Sequence, residues 1–126
     1  MTEENLKDEL VNTIGRLVVE DVNYSSRQWA AISIVGKFKG TGSRLQGYVY
    51  GDNGDWEAEV PDSLEFKEKL QELRNTMQTD SGGEPWKTCL IQIKREDLSV
   101  NLKFDYVNEN VWTENLPILH ERLRPE

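Results

Sequence analysis

The chain has 126 residues, a length that fits one domain with one core. Charged residues make up 30% and hydrophobic ones 37%, and no apolar run approaches the ~20 residues that cross a bilayer, which argues against a membrane protein. The formal net charge of −8 disfavours direct contact with nucleic acid or anionic lipid and favours basic proteins, although acidity for solubility alone is the plainer account.

Residues 3–20 read as an amphipathic helix. Leu6, Leu10, Ile14, Leu17 and Val18 form one apolar stripe, and Glu3 and Glu4 suit the positive end of the helix dipole. Asn23, Ser25 and Ser26 break the pattern. A strand is predicted over 28–38, with Ile32, Ile34 and Phe38 on one face. After the turn Lys39-Gly40-Thr41-Gly42-Ser43, a second strand covers 44–51, with Tyr48 and Tyr50 facing one way and Leu45 and Val49 the other. Asp52-Asn53-Gly54 is a short hairpin signal. A third strand follows over 55–60, completing an antiparallel meander, with Trp56, Ala58 and Val60 on one face.

Pro61 ends the meander, and Asp62-Ser63-Leu64-Glu65 has the form of a capping box led by Asp62. Phe66, Leu70, Leu73 and Met77 predict a helix over 63–78, stopped at Asp80-Ser81-Gly82-Gly83. Residues 85–94 read as an interior strand because Cys89, Leu90, Ile91 and Ile93 supply apolar groups to both faces. After the turn at 95–97, Leu98, Val100, Leu102, Phe104 and Tyr106 alternate with polar residues as a fifth strand. The tail from Asn108 holds Val111, Trp112, Leu116, Ile118 and Leu119, and a short helix is predicted there, in which Pro117 fits only a first turn. The order α-β-β-β-α-β-β-(α) gives an α+β fold, an antiparallel sheet of about five strands with helices on one side, in a single domain spanning 1–126.

The sequence offers little to catalysis. Cys89 is the one cysteine, mid-strand, and reads as a buried inert thiol. His120, the one histidine, reads as solvated beside Glu121. Together they fall short of a structural zinc set, no loop has an EF-hand pattern, and the glycines from Gly36 to Gly47 form no phosphate-binding motif. The expectation is a non-enzyme with no metal or cofactor. The acidic start Met1-Thr2-Glu3-Glu4-Asn5-Leu6 does not resemble a signal peptide, which points to the cytoplasm.

Charge is uneven along the chain. Residues 52–68 hold seven acids against one base, Lys67, whereas 36–47 hold Lys37, Lys39 and Arg44 and no acid. Trp29 and Trp86 read as core. Trp56 lies among Asp52, Asp55, Glu57 and Glu59, which makes that stretch either a solvated hairpin or an acidic rim with an aromatic anchor for a basic partner. Trp112, in the tail, is the further candidate contact.

Three segments carry a family resemblance: Leu70-Gln71-Glu72-Leu73-Arg74-Asn75-Thr76-Met77, then Gly82-Gly83-Glu84-Pro85-Trp86-Lys87-Thr88-Cys89, then Leu102-Lys103-Phe104-Asp105-Tyr106. Over roughly residues 66–107 the chain resembles the YezG-type immunity and antitoxin family of bacterial polymorphic, contact-dependent-inhibition toxin systems. That family often carries a glycine in the second hairpin, where this chain has Arg95-Glu96-Asp97-Leu98-Ser99. The resemblance implies a small cytoplasmic immunity protein that binds and neutralises a cognate toxin domain, commonly a nuclease. It also implies that Arg74, Trp86, Phe104, Asp105 and Tyr106 build the fold, with an Arg74–Asp105 pair as one possibility. The competing expectation is a non-catalytic adaptor or small-ligand-binding domain.

Overall fold

The computed structural model describes residues 3–39, 42–112 and 123–125. Its elements are α1 (Glu3–Glu20), α2 (Val22–Ser25), β1 (Ala31–Lys39), β2 (Gly42–Tyr50), β3 (Trp56–Ala58), α3 (Leu64–Ser81), β4 (Thr88–Lys94) and β5 (Val100–Asp105). The five strands form one antiparallel sheet in the order β3-β2-β1-β4-β5. The meander β1–β2–β3 and the hairpin β4–β5 are thus joined side by side, with α3 as the connection. This is the expected α+β order, with the short α2 added.

The helices cover one face. Leu10, Ile14 and Val18 of α1 and Phe66, Leu70 and Leu73 of α3 are buried against Ile32, Ile34, Phe38, Val49, Cys89, Ile91 and Ile93. Their helical spacings of three and four aim each set at the sheet, and each buried aliphatic side chain contributes about 1.5–3 kcal/mol. Trp29 and Trp86 are core residues, as the sequence implies. Gly47 lets the meander close up. A Cβ there would stand 2.6 Å from the Ser33 carbonyl oxygen and 2.8 Å from that of Glu59.

Asp21, buried between α1 and α2, organises the helix starts. Its Oδ1 accepts from Asn23 N–H at 2.9 Å, capping α2, so the stretch read as a break is a helical turn. Its Oδ2 accepts from Asp62 and Ser63 N–H at 3.0 and 3.1 Å. With those donors satisfied, α3 begins one residue later than the capping-box reading put it. Ser63, not Asp62, is the cap, its Oγ accepting from Phe66 N–H at 3.2 Å. Gly82, in the left-handed region at φ 72°, ends α3 by donating to the Gln78 carbonyl.

The second face is covered differently. Val35, Tyr48, Tyr50 and Leu90 form a cluster with Leu123, and Trp112 packs against it. The Leu123 carbonyl accepts from Ser33 Oγ and, at 3.0 Å, from Gln92 Nε2. Of the tail expected to hold a short helix, the described stretch with Val111 and Trp112 forms turns, and Leu116, Pro117, Ile118, Leu119 and His120 lie outside the described residues.

Strand bounds shift relative to the sequence reading: β1 runs to Lys39 and β2 starts at Gly42, inside the stretch read as a turn, while other ends are trimmed. Trp29 precedes β1, Trp86 precedes β4, and β3 is three residues long. Leu98 drops out of β5 because it adopts φ 54°, a left-handed turn conformation costly for a branched side chain, in the hairpin where the resembled family often has glycine.

Candidate functional site

The β2–β3 turn forms as the Asn-Gly signal predicts. Gly51 N–H donates to the Asp55 carbonyl at 2.8 Å, Asn53 Oδ1 accepts from Asp55 N–H at 3.2 Å, and Gly54 sits at φ 89°. Asp52 and Asp55 are exposed at its tip, and among the described residues no cation forms an ion pair with either. Trp56 stands opposite Tyr50 in the ladder and meets the Tyr48 ring edge-on at 5.5 Å, yet remains 44% exposed.

Strand alternation splits the acidic segment. Glu57 pairs with Val49, whose side chain joins the helix-side core, so Glu57 faces away from Trp56. Arg27 then takes both glutamates, with Nη1 at 2.6 Å from Glu57 and Nη2 at 3.2 Å from Glu59. The Glu59 carbonyl also accepts from Tyr24 Oη at 3.2 Å, and Asn23 Nδ2 donates to the Val60 carbonyl at 2.8 Å. Glu59 is therefore engaged in holding β3 to α2. What the structure brings together is an open groove of about 740 Å³ bordered by Arg27, Gln28, Asp52, Asp55, Trp56 and Glu57. This corrects the single acidic-aromatic rim expected from chain order. The turn aspartates and Trp56 belong to it, Glu57 borders it from the other face and is partly neutralised, and Glu59 is structural.

Trp112 is not part of that groove. It is half-buried against the second-face cluster and lines a separate cavity with Gln92, Asn101 and Lys103. Strands β2 and β1 lie between β3 and the β4–β5 hairpin beneath it.

The residues of the family resemblance mostly pack on one another. Trp86 is fully buried, edge-on to Phe38 at 5.2 Å and tilted against Phe104 at 5.3 Å. Arg74 does not pair with Asp105. Its Nε donates to the Trp86 carbonyl at 2.6 Å, its guanidinium lies 5.0 Å above Phe38, and desolvation lowers its pKa. Asp105 instead accepts from Asn108 and Val107 N–H, at 2.7 and 2.9 Å, and these bonds hold its carboxyl below the usual carboxylate range. Tyr106 is exposed past the end of β5.

Cys89 is fully buried, and burial pushes its thiol well above the ordinary value, so the thiolate nucleophile is disfavoured. Among the described residues no His, Cys, Asp and Glu cluster is arranged to hold a metal ion, and no helix is long and apolar enough to cross a membrane. Sequence reasoning missed Arg27. Nothing in Ser25-Ser26-Arg27-Gln28 ties it to carboxylates 30 and 32 residues away.

Compared with known proteins, the chain matches no family profile and no curated protein sequence. The YezG-type resemblance therefore rests on the residues quoted for it.

Proposed function

We propose that the protein is an immunity protein that binds and neutralises a cognate toxin domain, a basic nuclease, by stoichiometric association in the cytoplasm, without catalysing a reaction itself. One observation supports docking at the β2–β3 hairpin: Trp56 keeps 44% of its surface exposed beside Asp52 and Asp55 at the edge of the sheet. A large aromatic with apolar area still to bury provides an anchor, and Asp52 and Asp55, in no ion pair among the described residues, steer a cationic surface onto it. A nuclease must be cationic where it holds phosphates, so such a surface is common to this partner class. Beta-strand β3 is only three residues long, which limits backbone pairing at this edge and leaves side chains to define the contact.

The test is inhibition. Adding the purified chain to the toxin domain encoded beside it should abolish cleavage at one-to-one stoichiometry and give a complex on a sizing column. Undiminished cleavage, with both proteins eluting separately, rejects the proposal.

A further inference from the structure

On the face away from α1 and α3, the β4–β5 hairpin is polar. The register sets Gln92 beside Asn101 and Leu90 beside Lys103, while Lys94 N–H bonds to the Ser99 carbonyl. Alternation therefore places Lys94, Gln92, Asn101 and Lys103 on one surface. Trp112 and the C-terminal residues Arg124 and Pro125 enclose the space beside it into a cavity of about 380 Å³.

The charge of this cavity is opposite to that of the chain. Lys94, Lys103 and Arg124 line it, with no carboxylate among the described lining residues, in a protein of net charge −8. Arg124 is held in place, its guanidinium 4.6 Å above the Tyr50 ring and its Nη2 donating to the Gly54 carbonyl at 3.2 Å. Neither lysine is in an ion pair among the described residues. Three cations with no carboxylate among the described lining residues give this spot a positive potential that attracts an anion. The two lysines sit about four strand residues apart, on the order of 13 Å, with the Gln92 and Asn101 amides between. Their flexible stems reach toward a ligand held there from both ends.

We propose that this cavity binds a small polyvalent oxyanion of the phosphate class. Lys94, Lys103 and Arg124 neutralise it, Gln92 and Asn101 supply neutral donors, and Trp112 forms the wall. The volume lies near the lower end of the roughly 300–1,000 Å³ common for small-ligand sites, and the acidity of the rest of the chain opposes a long nucleic acid. Arg124 reaches the docking hairpin through Gly54, but Lys94, Lys103, Gln92 and Asn101 lie on the other hairpin, and the proposal does not depend on the immunity reading.

The test follows the Trp112 indole N–H by NMR in the full chain. Sodium pyrophosphate is titrated at constant ionic strength, with citrate as the polycarboxylate comparison and chloride as the blank. Saturable binding of pyrophosphate, tighter than citrate, is expected. Lys103→Gln, at an exposed position, and Lys94→Gln, at a half-buried one, should each weaken it about tenfold. Lys67→Gln, on the exposed side of α3, should leave it unchanged. Shifts that track chloride, or equal weakening by Lys67→Gln, would overturn the site. Tighter binding of citrate would overturn the phosphate class.

Discussion

The helix-covered face of the sheet and the tail-covered face are built on different terms. On the first, two helices of 18 residues each supply many aliphatic contacts, and the indole N–H groups of Trp29 and Trp86 are buried among them without a hydrogen-bond partner among the described residues. On the second, a few residues do the covering, and Ser33 and Gln92 must find the Leu123 carbonyl to be satisfied. The first face is a stability device. The second carries the features that suit recognition: exposed Trp56, half-buried Trp112 and the cationic cavity. On the docking and anion-binding proposals, recognition belongs to the second face, and substitutions on each side should separate it from stability.

The largest effect is expected on the helix side. Leu70→Ala removes a fully packed side chain that contacts the space above Gly36, and should cost about 2–5 kcal/mol by urea unfolding. A loss under about 1 kcal/mol would mean that the helix face is not the main stabiliser. Leu123→Ala should cost less, about 2 kcal/mol, and should increase the exposure of Tyr48 and Tyr50 to solvent quenchers. If that variant unfolds as a unit with stability equal to Leu70→Ala, the proposed asymmetry between the faces is gone.

Alkaline pH sharpens the same comparison. Burial raises the Tyr24 phenol well above its ordinary value and pushes Tyr50 up to about 12. Both groups hold their protons more tightly when folded. The stability they contribute is fully present below the ordinary tyrosine pKa of about 10 and is lost as pH rises beyond it. Urea midpoints should be level from pH 8 to pH 9 and fall above about pH 10; a midpoint that rises there contradicts the burial of these rings.

A smaller, opposite effect is expected at the β4–β5 turn. Leu98→Gly relieves the φ of 54° and should stabilise the protein by about 1 kcal/mol, visible as a higher melting temperature. A destabilised variant would show that the exposed Leu98 side chain matters more than its backbone.

Much of this fold is written in local periodicity. The α1 stripe, the Asn53-Gly54 turn and the alternation of Val100, Leu102 and Phe104 each report a structure made by neighbouring residues. What the sequence hides depends on distant partners. Asp21 caps α2 locally but also holds Asp62 and Ser63, 41 and 42 residues on, which shifts the start of α3. Leu123 gives no periodic signal, because its role is to fill a space made by β1, β2 and β4. The hairpin acids mislead for a different reason. Counting charge along the chain adds Glu57 to Asp52 and Asp55, whereas the period of two sends Glu57 to the face where Arg27 waits. That split was legible in the alternation; the arginine was not.

The most direct test of hairpin docking is the binding kinetics of the toxin domain with three forms of the chain: wild type, Trp56→Ala, and the double reversal Asp52→Lys/Asp55→Lys. Trp56→Ala should unfold at nearly the wild-type urea concentration but release the toxin at least about tenfold faster. The double reversal should slow association by about tenfold at low salt, with the gap closing as salt rises. Wild-type association and dissociation rates in both variants would contradict docking at the β2–β3 hairpin.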